Sequence, residues 1–131
     1  MKYLIETDWA VDWFRGRREI VEKIEELRPQ GLGLSVITLA ELYVGVYYAD
    51  DPDRREAELR DFLDIVELLN VDEEVCRIFG RERARLRRAG LEIARFDLLI
   101  GATARRHGLT LLTNNRRHFE RIEGLAILST S

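Results

Sequence analysis

The chain has 131 residues, 46% hydrophobic and 34% charged, which fits one soluble domain, residues 1–131, with a core of useful size. No apolar stretch approaches the roughly 20 residues that span a bilayer, and Met1-Lys2-Tyr3-Leu4-Ile5 lacks the apolar region of a signal peptide. The single Cys76 excludes an internal disulfide and leaves a cytoplasmic location as the default expectation. A net charge of −3 argues against strong binding to nucleic acid, but the charge is unevenly spread. Residues 1–73 carry nine Lys or Arg against eighteen Asp or Glu, and residues 74–131 carry twelve Arg against six, so the halves stand at −9 and +6. That asymmetry fits an anionic partner or self-association.

Short β-like runs alternate with helical patterns. Lys2–Glu6 reads as a buried strand, and Thr7–Phe14 as a helical stretch with Trp9 and Trp13 on one face. Arg17–Leu27 places Ile20, Val21, Ile24 and Leu27 at helical spacing and stops before Pro29 and Gly31. Leu32–Ser35 is a second strand. Val36–Tyr48 is a helix with Ile37, Ala40, Val44 and Tyr47 on one side as its apolar face, and a further helix begins after Pro52 and runs to Leu63. Ile65–Leu69 is a third strand, Asp72–Ala89 a charged helix ended by Gly90, and Asp97–His107 an Ala-rich helix with Asp97 at its N-cap. Leu109–Leu112 and Leu125–Leu128 complete five short strands separated by helices. The expected fold is therefore three-layer α/β, a mostly parallel central sheet flanked by helices.

In such sheets ligands bind beyond the carboxyl ends of the strands. Glu6 and Thr113-Asn114-Asn115 follow two strands, Glu41 sits early in a helix after another, and Asp97 opens a helix, so all four can meet on one rim. Carboxylates brought together repel one another and call for a hard cation. Each also has a plainer role. Thr38-Leu39-Ala40-Glu41 matches a capping box, Asp97 an N-cap, and Asn115 a turn residue.

Four segments taken together resemble the PIN domain, and within it the VapC toxins of VapBC toxin–antitoxin systems. They are Tyr3-Leu4-Ile5-Glu6-Thr7-Asp8, Ile37-Thr38-Leu39-Ala40-Glu41-Leu42, Phe96-Asp97-Leu98-Leu99-Ile100-Gly101-Ala102, and Leu111-Leu112-Thr113-Asn114-Asn115-Arg116-Arg117-His118-Phe119. The resemblance implies a PIN-like fold and an endoribonuclease with a Mg²⁺ or Mn²⁺ centre. It implies that Glu6, Glu41 and Asp97 hold the metal, that Asn115 is the fourth catalytic position, and that Thr113 and Asp8 support it. It also implies an RNA substrate, a VapB-like antitoxin and a homodimer. The apolar residues of Leu42–Tyr48 left over from the core, with Trp9 and Trp13, are the candidate surface for the dimer seam or the antitoxin. The family usually has Asp where this chain has Glu6. The alternative is therefore a PIN-fold protein impaired in catalysis that binds RNA or antitoxin.

Arg77, Arg81, Arg85 and Arg88 form one stripe on the Asp72–Ala89 helix, and with Arg116 and Arg117 are candidates for an RNA track. A solvated helix face with internal ion pairs accounts for the stripe equally well. The Asp-x-Asp loop of haloacid-dehalogenase-type phosphatases is excluded, because the first acid here is Glu and no Lys follows Lys23.

Overall fold

The computed structural model describes residues 1–130. Its sheet contains β1 (Tyr3–Ile5), β2 (Leu32–Ser35), β3 (Glu67–Leu69), β4 (Thr110–Leu112) and β5 (Ile127–Leu128). The strands lie in the order β3-β2-β1-β4-β5, and every pairing is parallel. Seven helices surround them among the described residues: α1 (Thr7–Phe14), α2 (Arg18–Leu27), α3 (Val36–Tyr48), α4 (Pro52–Leu63), α5 (Glu73–Arg88), α6 (Arg95–Arg106) and α7 (Arg116–Phe119). The expected strands and long helices are all present, and the short α7 is an addition.

β1 is central, and its Tyr3-Leu4-Ile5 run is buried throughout because both faces are covered. Alternation along the strands divides the interior in two. Tyr3, Ile5, Leu34 and Leu112 pack with Trp9, Ile20, Ile24, Val46 and Phe62 on one face. Leu4 and Leu111 pack with Leu86, Leu98, Ile100 and Phe119 on the other. Gly101 is explained by close packing of α6: a Cβ there would lie 2.3 Å from the Ile122 side chain.

Two sequence expectations are corrected. α3 buries Thr38, Leu42 and Val46, whereas Val44 and Tyr47 are exposed. Its residues are apolar almost all round, so periodicity could not select the face. Trp9 is wholly buried, and so belongs to the core rather than to any apolar surface shared with a partner.

β1 pairs with β2 on one side and β4 on the other, so the chain order reverses there. The carboxyl ends of β1 and β4 therefore frame the switch point at which parallel sheets of this kind form their clefts.

The opposite layer is tied by a buried acid. Glu82 of α5 accepts hydrogen bonds from Arg85 Nε at 2.6 Å, Arg105 Nη1 at 3.4 Å and the Glu123 backbone N–H at 2.7 Å. One carboxylate thus joins α5, α6 and the segment leading to β5. Glu82→Ala is expected to cost about 2–4 kcal/mol, because three charged or buried donors lose their acceptor together. Urea denaturation checks this, and a loss below about 0.5 kcal/mol, typical of surface changes, would contradict it.

Candidate active site

The rim at the switch point is built from the ends of β1 and β4 and the first turns of α1, α3 and α6. Glu6 follows β1 directly and is buried, 3% exposed. Its backbone turns into α1 with φ −82° and ψ 158°, and its Oε2 caps that helix by accepting the Asp8 N–H at 2.7 Å. Its Oε1 accepts the Thr113 hydroxyl at 2.5 Å. The same hydroxyl accepts the Asn115 N–H at 3.0 Å, so one side chain is satisfied in both directions. One carboxylate and one hydroxyl therefore fasten the end of β1 to the corner after β4.

Glu41 joins from α3. Thr7, next to Glu6 in the chain, donates its hydroxyl to Glu41 Oε1 at 2.6 Å and lies 3.1 Å from the Thr38 hydroxyl. The capping-box reading of Glu41 is set aside, because the N-cap of α3 is Ser35, whose hydroxyl accepts the Ile37 N–H. The N-cap expectation for Asp97 is also corrected. α6 begins at Arg95 with Ala94 as its N-cap, so Asp97 lies inside the first turn and not at the cap. Asp97 Oδ2 is 3.8 Å from His118 Nδ1, and His118 Nδ1 is 3.2 Å from Asn115 Nδ2. An open circuit of contacts results, running from Glu6 through Thr113, Asn115 and His118 to Asp97, with Glu41 joined at its start through Thr7, the chain neighbour of Glu6.

The electrostatics of this circuit are unbalanced. Burial, with the Asp8 charge adding to it, pushes the Glu6 carboxyl up to about 7. Asp97 is raised by burial first and then by Glu41, against a lowering by His118. Asp8 is raised by partial desolvation and Asp12, while Arg15 and His118 pull it down. Oxygen-rich acids that raise one another in this way fit a hard divalent cation, the missing counter-charge. Among the described residues no three His, Cys, Asp or Glu side chains already close on a single point.

The six arginines singled out from the sequence are not equivalent. Arg85 is committed to Glu82, Glu123 and the Arg121 carbonyl. Arg77 is held by Glu73 and Glu74, and Arg116 by Glu120 and the Ser129 hydroxyl. Arg81, Arg88 and Arg117 are exposed and make no ion pair among the described residues. The expected stripe is thus broken into separate charges. Two residues beside the acids carried less weight in the sequence. His118 lies three positions after Asn115. Arg15 shares a helix face with Asp8 and Val11, an i, i+3, i+7 spacing that could have revealed it.

Residues 3–125 match the family model described as PIN domain. The chain is 31% identical over 127 residues to the tRNA(fMet)-specific endonuclease VapC of Salmonella typhimurium, covering 97% of this chain and 96% of that protein. It is 33% identical to Ribonuclease VapC2 of Haemophilus influenzae, covering 95% of each. A solved structure of DNA-bound VapBC from Salmonella typhimurium superimposes with a TM-score of 0.93 at 30% identity, over 100% of this chain and 99% of that one.

The buried acid gives a signed pH dependence. Glu6 keeps its proton to about pH 7 when folded but loses it near 4.5 when unfolded. Between those values the folded state binds more protons, so metal-free stability falls as pH rises through that window, by about 3 kcal/mol at most. Denaturant titrations across the window are expected to show this fall for the native chain and a flatter profile for Glu6→Gln. Parallel profiles would contradict the assignment.

Proposed function

Because the chain belongs to the PIN domain family, we propose that residues 1–131 act as one domain, a VapC-type endoribonuclease that hydrolyses RNA phosphodiester bonds with a divalent cation, Mg²⁺ or Mn²⁺. The observation that carries this reading is the convergence of Glu6, Asp8, Glu41 and Asp97 at the switch point with too little positive charge to balance them. Glu6, Glu41 and Asp97 would hold the cation, and each Glu6 oxygen keeps a lone pair beyond the bonds it already accepts. When bound, the cation supplies charge to the phosphate oxygens and acidifies a water.

The chain's own residues do the rest. Asp97, half-buried and raised above the usual carboxylate range by burial and by Glu41, takes the proton of the attacking water. Thr7 fixes Glu41, and Thr113 fixes Glu6, so the carboxylates reach the reaction already oriented. Asn115 presents its amide at the same corner and steadies His118. Arg81, Arg88 and Arg117 remain free to meet the RNA backbone outside the pocket.

A VapB-like antitoxin and a second copy of this chain are the proposed protein partners. Their supports are the VapBC assemblies among the similar structures and the exposed Val44, Tyr47 and Tyr48 on α3. No helix among the described residues is long and apolar enough to cross a membrane, in keeping with the proposed cytoplasmic site of action.

With a labelled RNA and Mn²⁺, cleavage is expected that EDTA abolishes and that Asp97→Asn lowers at least about 100-fold. Cleavage by Asp97→Asn at the native rate would overturn the site assignment. RNA binding without cutting by the native protein would favour the impaired alternative, in which Glu6 serves only to join β1 to β4.

A further inference from the structure

A depression of about 460 Å³ opens beside the acids, between α1 and the corner after β4. Its volume falls within the roughly 300–1,000 Å³ of small-molecule sites. Asp8 and Asn115 of the rim line it together with Asp12, and Val11 gives it an apolar patch. Arg15 and Arg17 bring the positive charge. These two arginines differ in a way that matters. Arg17 Nε is already paired with Asp12 at 3.3 Å. Arg15 makes no salt bridge among the described residues, and the acid it acts on is Asp8. It also borders a second depression that reaches Glu41, so it stands between the two openings that flank the acids.

The backbone beneath Arg15 is firmly set. Arg15 N–H bonds the Val11 carbonyl, and Gly16 at φ 70° closes the end of α1 by bonding the Trp13 carbonyl. Trp13 in turn packs on Phe62 at a centroid distance of 5.7 Å. Asn114 cannot serve a ligand with its amide, because Trp9 and Thr130 already engage it.

An RNA strand must bring phosphates to a rim of like charge, and a protein cation fixed beside that rim, together with the bound metal ion, offsets the repulsion. We propose that this depression receives the nucleotide adjoining the cut phosphodiester, and that Arg15 anchors its phosphate. A guanidinium forks onto two phosphate oxygens, and Val11 offers the ribose or base an apolar contact. This rests on the ribonuclease reading given above.

The test measures binding of a short fluorescent single-stranded RNA to the Asp97→Asn protein in Mn²⁺, which keeps the strand intact. Adding Arg15→Gln is expected to weaken binding about tenfold and to lower the salt slope by about 0.7, the share of one phosphate contact. With Asp97 intact, the calorimetric Mn²⁺ affinity of Arg15→Gln is expected to stay within about twofold of the native protein's, which separates RNA anchoring from damage to the acids. Arg28→Gln removes an equal charge before β2, at the amino ends of the strands, and is expected to change binding less than about twofold. Equal losses for Arg15→Gln and Arg28→Gln, or none for Arg15→Gln, would overturn the proposal. Failure of the nuclease reading looks different, since native protein would then leave RNA uncut with Mn²⁺ whatever stands at position 15.

Discussion

The site depends on one buried contact, the Glu6 carboxyl held between the Thr113 hydroxyl and the Asp8 N–H. Parallel strands β1 and β4 are adjacent in the sheet yet more than a hundred residues apart in sequence. The backbone ladder aligns them, and it continues past their ends through the Glu6 N–H bond to Leu112. Beyond that point only side chains can hold the two turns together. Glu6 and Thr113 do so, and they thereby set where α1 begins and where Asn115 and His118 stand.

That arrangement has an electrostatic cost. A carboxyl 3% exposed is poorly solvated, and its neighbours Asp8 and Asp97 are acids rather than bases. Without a cation, protonation is the cheaper response. The fold concentrates strain of this kind on one rim and satisfies its other buried acid fully, for Glu82 meets two arginines and a backbone N–H. The two buried carboxylates thus differ in kind. Glu82 is met by two arginines within the protein, whereas the charged groups acting on Glu6 are the acids Asp8 and Asp97.

Much of this could be read from residue order. Runs such as Leu109–Leu112, bounded by Gly108 and the Thr-Asn-Asn corner, specify strand and turn directly. The grouping of Glu6, Glu41 and Asp97 followed from the rule that parallel strands offer their carboxyl ends to ligands. Other features depended on tertiary packing. α3 is apolar almost all round, so its inward face was decided by α1 and α4 and not by its own pattern. The start of α6 was misjudged because Asp97 is a good N-cap type, while Ala94 at the actual cap makes no side-chain bond. Arg85 matched a surface stripe by spacing, and its pairing with Glu82 is legible at i, i+3, but Glu123 and the Arg121 carbonyl, which also hold it, come from a distant segment. Local spacing holds no information about such long-range partners.

The central claim is that Glu6, Glu41 and Asp97 hold one divalent cation, with Glu41 and Asp97 presented to it by a framework that Glu6 fastens. Diffraction from crystals grown with Mn²⁺, at a wavelength that makes manganese scatter anomalously, tests it most directly. The expected result is a peak within bonding distance of an Asp97 oxygen and a Glu41 oxygen, with the Glu6–Thr113 contact kept. Crystals saturated with Mn²⁺ that show no peak between those two carboxylates, or show it only elsewhere on the molecule, would contradict the claim.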